Sequence, residues 1–147
     1  MKKVFVVIAA VATLCRGTGA AEAAWLTDLP KAQAQAKSEH KIVLLDFTGS
    51  DWCPECKLLR EHVFEMNEFQ DYAAKNLVLV QVDFPDKKPQ GKDLKKANEA
   101  LKDKFKVVGF STLVVLNEDG QEIGRPSGDE SNPKAFIGEV EKLKVGK

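Results

Sequence analysis

Two cysteines three positions apart, Cys53 and Cys56, follow an apolar run at residues 42–47 and head an amphipathic stretch, in Asp51-Trp52-Cys53-Pro54-Glu55-Cys56-Lys57. That placement restricts the local fold to a strand that ends, turns and feeds a helix beginning at the first cysteine. A thiol there faces backbone N–H groups without intrahelical partners, and the positive end of the helix dipole favours thiolate over thiol. Cys53 is therefore the expected nucleophile. Cys56, one turn further in, is placed to attack a mixed disulfide on Cys53 and resolve it. Pro54 fits the first turn, since its φ is helical and its missing N–H would have had no intrahelical partner.

The first two dozen residues read as a leader rather than as part of a domain. Lys2 and Lys3 precede an apolar run at residues 4–14, and Ala21-Glu22-Ala23 forms an A-x-A cleavage pattern before Ala24. The run is about half the roughly 20 residues a bilayer span needs, so an uncleaved anchor is disfavoured. Leu14, ahead of Cys15, is larger than the small residue a lipidation signal carries there. The expectation is a secretory signal peptide over residues 1–23 and one domain over residues 24–147. The mature chain would be periplasmic or secreted, without stable membrane insertion.

Removing residues 1–23 takes Lys2, Lys3 and Arg16 from the 22 bases and Glu22 from the 22 acids, leaving a net charge of −2. No basic excess argues for nucleic acid. The same cut removes Cys15, so Cys53 and Cys56 are the only cysteines of the mature chain. A bridge closing so short a loop removes little chain entropy, so the pair reads as reactive and not as a structural staple.

Elsewhere helical and strand patterns alternate. Trp25, Leu29, Ala32 and Ala36 fall at helical spacing behind a cap at Thr27 or Asp28. After the cysteines, Leu58 or Leu59, Val63 and Met66 form one stripe. The helix is expected to bend near Met66, with Asn67 capping a renewed turn that carries Phe69, Tyr72 and Ala73. Residues 77–82 are a second apolar strand, parallel to the first because a helix joins them. A charged loop at residues 84–93 precedes a helical pattern of Leu94, Ala97, Leu101 and Phe105. Strands at residues 112–116 and 121–124 meet through Asn117-Glu118-Asp119-Gly120, a hairpin signal. Ser131 or Asn132 caps a last helix opened by Pro133.

This order, with Trp-Cys-x-x-Cys-Lys after the first strand, resembles the thioredoxin fold over roughly residues 25–144. Leu45-Asp46-Phe47-Thr48-Gly49-Ser50-Asp51-Trp52-Cys53 is similar to exported bacterial thioredoxin-like proteins and to the periplasmic C-terminal domain of the transmembrane thiol reductase. The resemblance implies an α/β fold with a central mixed four-stranded sheet of order 2-1-3-4, flanked by helices. It implies a protein thiol-disulfide oxidoreductase in which Cys53 attacks, Cys56 resolves and Asp46 exchanges protons with the resolving thiol. Trp52, Pro54, Glu55, Phe110 and Ser111 would meet the partner peptide. Partners would be protein disulfides and an upstream thiol electron donor, the chain a monomer, and no cofactor is expected beyond the Cys53–Cys56 couple.

Three positions depart from the family pattern. Asp46 lies seven residues before Cys53, one more than in thioredoxin, so either a proton acceptor or a strand-end carboxylate bonding loop N–H groups fits it. The lysine that thioredoxins place opposite this acid is missing, with Leu79 near the expected position. Ser111 replaces the family's cis-proline. A cis bond before a non-proline residue costs roughly 3 kcal/mol, so a trans peptide is expected there. Ser111 is either a hydroxyl near the thiolate or a drifted loop residue.

Charge around Cys53 sets the expected redox direction. Glu55, Asp51 and Asp46 disfavour the thiolate, the helix dipole and Lys57 favour it, and no histidine lies between the cysteines. The balance points to a reductant or isomerase-like protein and away from a strong oxidant. Two other classes stand beside this one. The pair could be half of a zinc, copper or iron–sulfur site, although only His40 and His62 could supply imidazoles. The domain could also be a non-catalytic interaction module docking through residues 84–93.

Overall fold

The two apolar runs become neighbouring parallel strands. The computed structural model describes residues 22–128 and 132–146; the expected leader, to residue 21, and Ser131 lie outside them. Strand β1 is Trp25–Leu26, helix α1 Leu29–Glu39, β2 Ile42–Thr48 and α2 Pro54–Leu59. A π-helical turn, Arg60–Phe64, leads to α3, Asn67–Asn76. Then follow β3 (Leu77–Asp83), α4 (Lys92–Lys104), β4 (Thr112–Leu116), β5 (Glu122–Gly124) and α5 (Pro133–Val145). β2 pairs parallel with β3 from Ile42↔Leu77 to Thr48↔Asp83 and antiparallel with β4 from Val43↔Leu116 to Phe47↔Thr112.

The sheet order is β1-β3-β2-β4-β5. The four expected strands hold their 2-1-3-4 order, and the correction is a fifth, two-residue strand on the open edge of β3. Trp25, which its spacing assigns to the first helix, belongs to that strand and pairs with Leu79. Asp28 is the reason. Its side chain accepts from Lys31 N at 2.9 Å and starts α1 there, leaving Trp25 outside the helix as extended chain. The indole then packs 5.1 Å from the Phe64 ring.

Both faces of the sheet are covered, and side chains alternate between them with the period of two that strands impose. Val43, Leu45 and Phe47 join Ala32 and Ala36 of α1, with Val80, Val82 and Phe105. Leu44 faces the other way, with Leu59, Val63, Phe69 and Phe136 from the helices of the second layer. Asp46 and Thr48 continue that second row, so the sheet aims Asp46 at the layer containing the cysteine helix.

The bend near Met66 is present: residues 65–66 break the helix, and Gln70 Nε2 donates to Phe64 O at 2.5 Å. The cap differs from expectation. Met66 occupies the N-cap position without a side-chain bond, and Asn67 is already helical. At α5 the expected Asn132 cap accepts from Ala135 N at 2.9 Å. In α4 the fully buried residue is Asn98, while Ala97 is exposed. The helix turns its apolar stripe toward α1, where Leu94 and Leu101 line a groove of about 780 Å³ with Leu29 and Pro30. No helix among the described residues is long and apolar enough to cross a membrane.

Candidate active site

Cys53 and Cys56 form a disulfide with Cα atoms 5.3 Å apart. Cys53 is the N-cap of α2, and the Cys56 backbone N–H donates to its Sγ at 3.2 Å. A sulfur in that position is stabilised as thiolate by an otherwise orphaned helix donor. Both residues are nearly buried, at 2 % and 6 % exposure, so a partner sulfur must come into close contact to reach them. Pro54 is the first helical residue, as expected.

The loop between β2 and Cys53 is held from two sides. Asp83, at the end of β3, accepts from Ser50 N at 2.9 Å and from Ser50 Oγ at 2.6 Å. In return the Asp51 carboxylate accepts the backbone N–H groups of Asp86, Lys87 and Lys88 at 2.9, 2.8 and 2.8 Å. Those bonds hold its pKa down at about 2. Of the charges weighed around Cys53, only Glu55 keeps the position assumed, with Oε2 3.9 Å from Sγ. Asp51 points into the 86–88 loop, and Lys57 Nζ donates to Asp51 O at 3.1 Å.

Trp52 is 44 % exposed, which leaves its face open to a partner. Its Nε1 donates to Phe84 O at 2.8 Å. Gly49 makes room: a Cβ on it would lie 2.4 Å from Trp52 Cε2. The indole meets Phe110 edge-on at 5.6 Å, Phe110 meets Phe84 at 5.1 Å, and Lys102 Nζ lies 6.0 and 5.6 Å from those two rings. Phe84, Lys102 and Asp83 carry no periodic signal. Only the Phe84-Pro85 step, where an apolar residue enters a charged loop, hinted at the first of them.

Ser111 follows a cis peptide bond from Phe110, not the trans bond that residue type alone favours. Residue type is a local preference, whereas Phe110 is placed by its rings' packing against Trp52 and Phe84. Ser111 Oγ is buried without a hydrogen-bond partner among the described residues.

Asp46 is 7 % exposed and its Oδ1 has no partner among the described residues. Among the described residues it bonds no loop N–H, and Asp51 and Asp83 hold the loop instead. Burial first, and the negative charge of Asp83 second, push its pKa up to about 7, with Arg60 opposing. The β-register places Gln81 opposite Asp46 and Leu79 opposite Leu44, so the position of the family lysine is Gln81. Arg60 and Gln81 share with Asp46 a cavity of about 170 Å³ that Glu65 and Gln70 also line.

Among the described residues no group of three or more His, Cys, Asp or Glu side chains could hold a metal ion. His40 Nδ1 pairs with Glu118 at 3.2 Å, and His62 is exposed on the π-helical turn.

A family model described as the thioredoxin-like domain matches residues 29–144. Disulfide bond reductase DsbH of Chlamydia pneumoniae is 34% identical over 110 residues, 75% of this chain and 66% of that protein. Thiol:disulfide interchange protein DsbD of Vibrio cholerae is 32% identical over 98 residues, 67% of this chain but 15% of that protein. A solved structure of a DsbH oxidoreductase superposes with a TM-score of 0.80 at 31% identity, covering 94% of this chain and 96% of that one.

Proposed function

The chain belongs to the thioredoxin-like family, and on that premise we propose that it is a protein thiol-disulfide oxidoreductase, a reductant or isomerase-like protein of an exported compartment. The observation that carries the reading is the Cys53–Cys56 disulfide at the head of α2 with an N–H of the same helix on Cys53 Sγ.

In the reduced protein the Cys53 thiolate attacks one sulfur of a partner disulfide. A mixed disulfide forms and the other partner sulfur leaves as a thiolate. Cys56 then attacks Cys53 Sγ, the Cys53–Cys56 bond forms, and the second partner sulfur departs as a thiolate; the partner's two thiolates take up protons from water. Two electrons pass to the partner, and the proton that Cys56 loses goes to Asp46, whose pKa near 7 suits an acceptor working near neutrality. An upstream dithiol must restore the reduced form. The dithiol carries both electrons, so this reading needs no organic cofactor.

The reductant preference rests on Glu55 beside the sulfur, on Lys57 turning its ammonium to Asp51 O, and on a two-residue stretch between the cysteines that carries no histidine. The exported compartment rests on the basic-then-apolar pattern of residues 2–14 and the A-x-A site after it.

Insulin reduction tests the activity. The wild type is expected to accelerate it and Cys53→Ser to return it to the uncatalysed rate, while Cys56→Ser accumulates mixed disulfides with its partners. An inert wild type would favour the non-catalytic interaction module instead.

A further inference from the structure

Residues 84–106 carry eight lysines against four acidic residues, a net of +4 in a chain whose formal net charge is 0, so the remainder carries −4. Every ion pair of a Lys, Arg or His among the described residues lies outside this segment, at Lys37, His40, Lys41, Arg60, Arg125 and Lys144. The segment's positive charge is thus not locally neutralised by salt bridges, and an unneutralised field of one sign beside a reactive group attracts the opposite sign.

This charge borders the dithiol. Lys87 and Lys88 stand on the stretch whose N–H groups Asp51 holds, two residues from Cys53, and Lys88 Nζ reaches Ser50 Oγ at 3.5 Å. Lys102 lies over the Phe84 and Phe110 rings that pack on Trp52. Lys95 is two helical turns before Lys102 and shares its face of α4. Trp52 is exposed and meets Phe110 edge-on, and Val108, between α4 and β4, is 99 % exposed. The arrangement has the anatomy of an interface: an apolar centre of Trp52 and Phe110 with a charged rim on one side.

We propose that the loop at residues 84–91 and the Lys95–Lys102 face of α4 form the docking surface for an acidic patch beside the disulfide of the partner protein. The inference rests on the oxidoreductase reading above and names the class of partner that reading leaves open. The partner presents its disulfide with carboxylates on the side that meets α4, and the lysines draw it in and fix its orientation over Cys53. The exposed Glu55 and Glu61, on the cysteine helix and the π-helical turn after it, repel the same patch.

The test uses the reduced protein and three disulfides: one peptide flanked by glutamates, the same peptide flanked by lysines, and neutral hydroxyethyl disulfide. Second-order rates are measured against ionic strength for the wild type and for the exposed-site variant Lys87→Glu/Lys95→Glu. The wild type is expected to reduce the acidic peptide roughly ten-fold faster than the basic one at low salt, with the advantage collapsing as salt screens it. The variant should lose or reverse that preference while reducing the neutral disulfide at the wild-type rate. Equal rates for the two peptides, a preference for the basic one, or a preference that survives in the variant would overturn the docking surface and leave the oxidoreductase reading intact. Binding to phosphatidylserine vesicles without a peptide preference would also overturn it, by assigning the charge to a lipid surface. Failure to reduce even the neutral disulfide would remove both readings.

Discussion

Two aspartates five residues apart sit in opposite environments. Asp46, on β2, is buried beside Arg60 and Gln81, its Oδ1 without a partner among the described residues, and holds its proton up to about pH 7. Asp51, in the loop, is half-buried, takes three backbone N–H groups and titrates at about 2. Both are carboxylates of the same short segment, and surroundings alone separate them by about five pH units. Desolvation without hydrogen bonds disfavours the charged form, whereas preorganised N–H donors favour it. The first environment suits the proton carrier of the proposed mechanism and the second makes a clamp. On that reading neighbouring acids of one motif do different work, one in the proposed chemistry and one in holding the loop that presents Trp52.

Asp46→Asn breaks the comparison hardest. A carboxyl whose folded pKa lies above its unfolded value keeps its proton longer in the folded state, so the wild type loses stability as pH rises from about 4 through about 7. The full span is on the order of 4 kcal/mol. The variant should show little of this slope in denaturant unfolding at pH 5 and pH 8, and should be the more stable protein at pH 8. Its insulin reduction should fall ten-fold or more and lose the inflection near pH 7, in line with the roughly 10²–10⁴-fold scale of acid–base catalysis.

Asp51→Ala should act on the loop and spare the proton. Amide exchange at residues 86–88 is expected to quicken, and turnover to fall by roughly two- to ten-fold through misplacement of the partner-facing loop, with the pH inflection of the rate unmoved. Because the Asp51 carboxylate stays charged until about pH 2, the wild-type clamp persists throughout the neutral and mildly acidic range. A shifted inflection in this variant would mean that the two aspartates are not separate devices.

Arg60→Leu sharpens the contrast with the smallest effect. Arg60 is the one nearby cation that lowers the proton affinity of Asp46. Losing it should move the inflection to higher pH and cut the rate at pH 7 by about two- to three-fold, through a smaller fraction of Asp46 free to accept a proton.

Much of this architecture is legible from residue order. The strand order follows from two apolar runs joined by a helix and from the Asp-Gly turn, and alternation along β2 already assigns Asp46 to one face. What stays hidden is set by partners far along the chain. Ser50 meets Asp83 and Asp51 meets residues 86–88 across 33 to 37 positions, and no spacing rule reaches that far. The role of Trp25 turned on one capping bond at Asp28, which cut its apparent helical stripe short. The burial of Asn98, which no periodicity marks, comes from its Nδ2 donating to Asp83 O at 2.8 Å, while the expected stripe of Leu94, Ala97 and Leu101 lines an open groove facing α1. The residue opposite Asp46 was misplaced by two positions because register comes from pairing rather than from the run's own pattern.

The central claim is that the Cys53–Cys56 couple works as a reductant, passing electrons from an upstream dithiol to protein disulfides, and not as a strong oxidant of them. Equilibration of the protein with glutathione buffers of graded ratio, with reduced and oxidised forms separated by thiol alkylation, measures that directly. A reduction potential between about −200 and −270 mV, the span of glutaredoxins and thioredoxin, is the result expected; one near about −120 mV, that of a strong oxidant, would contradict it.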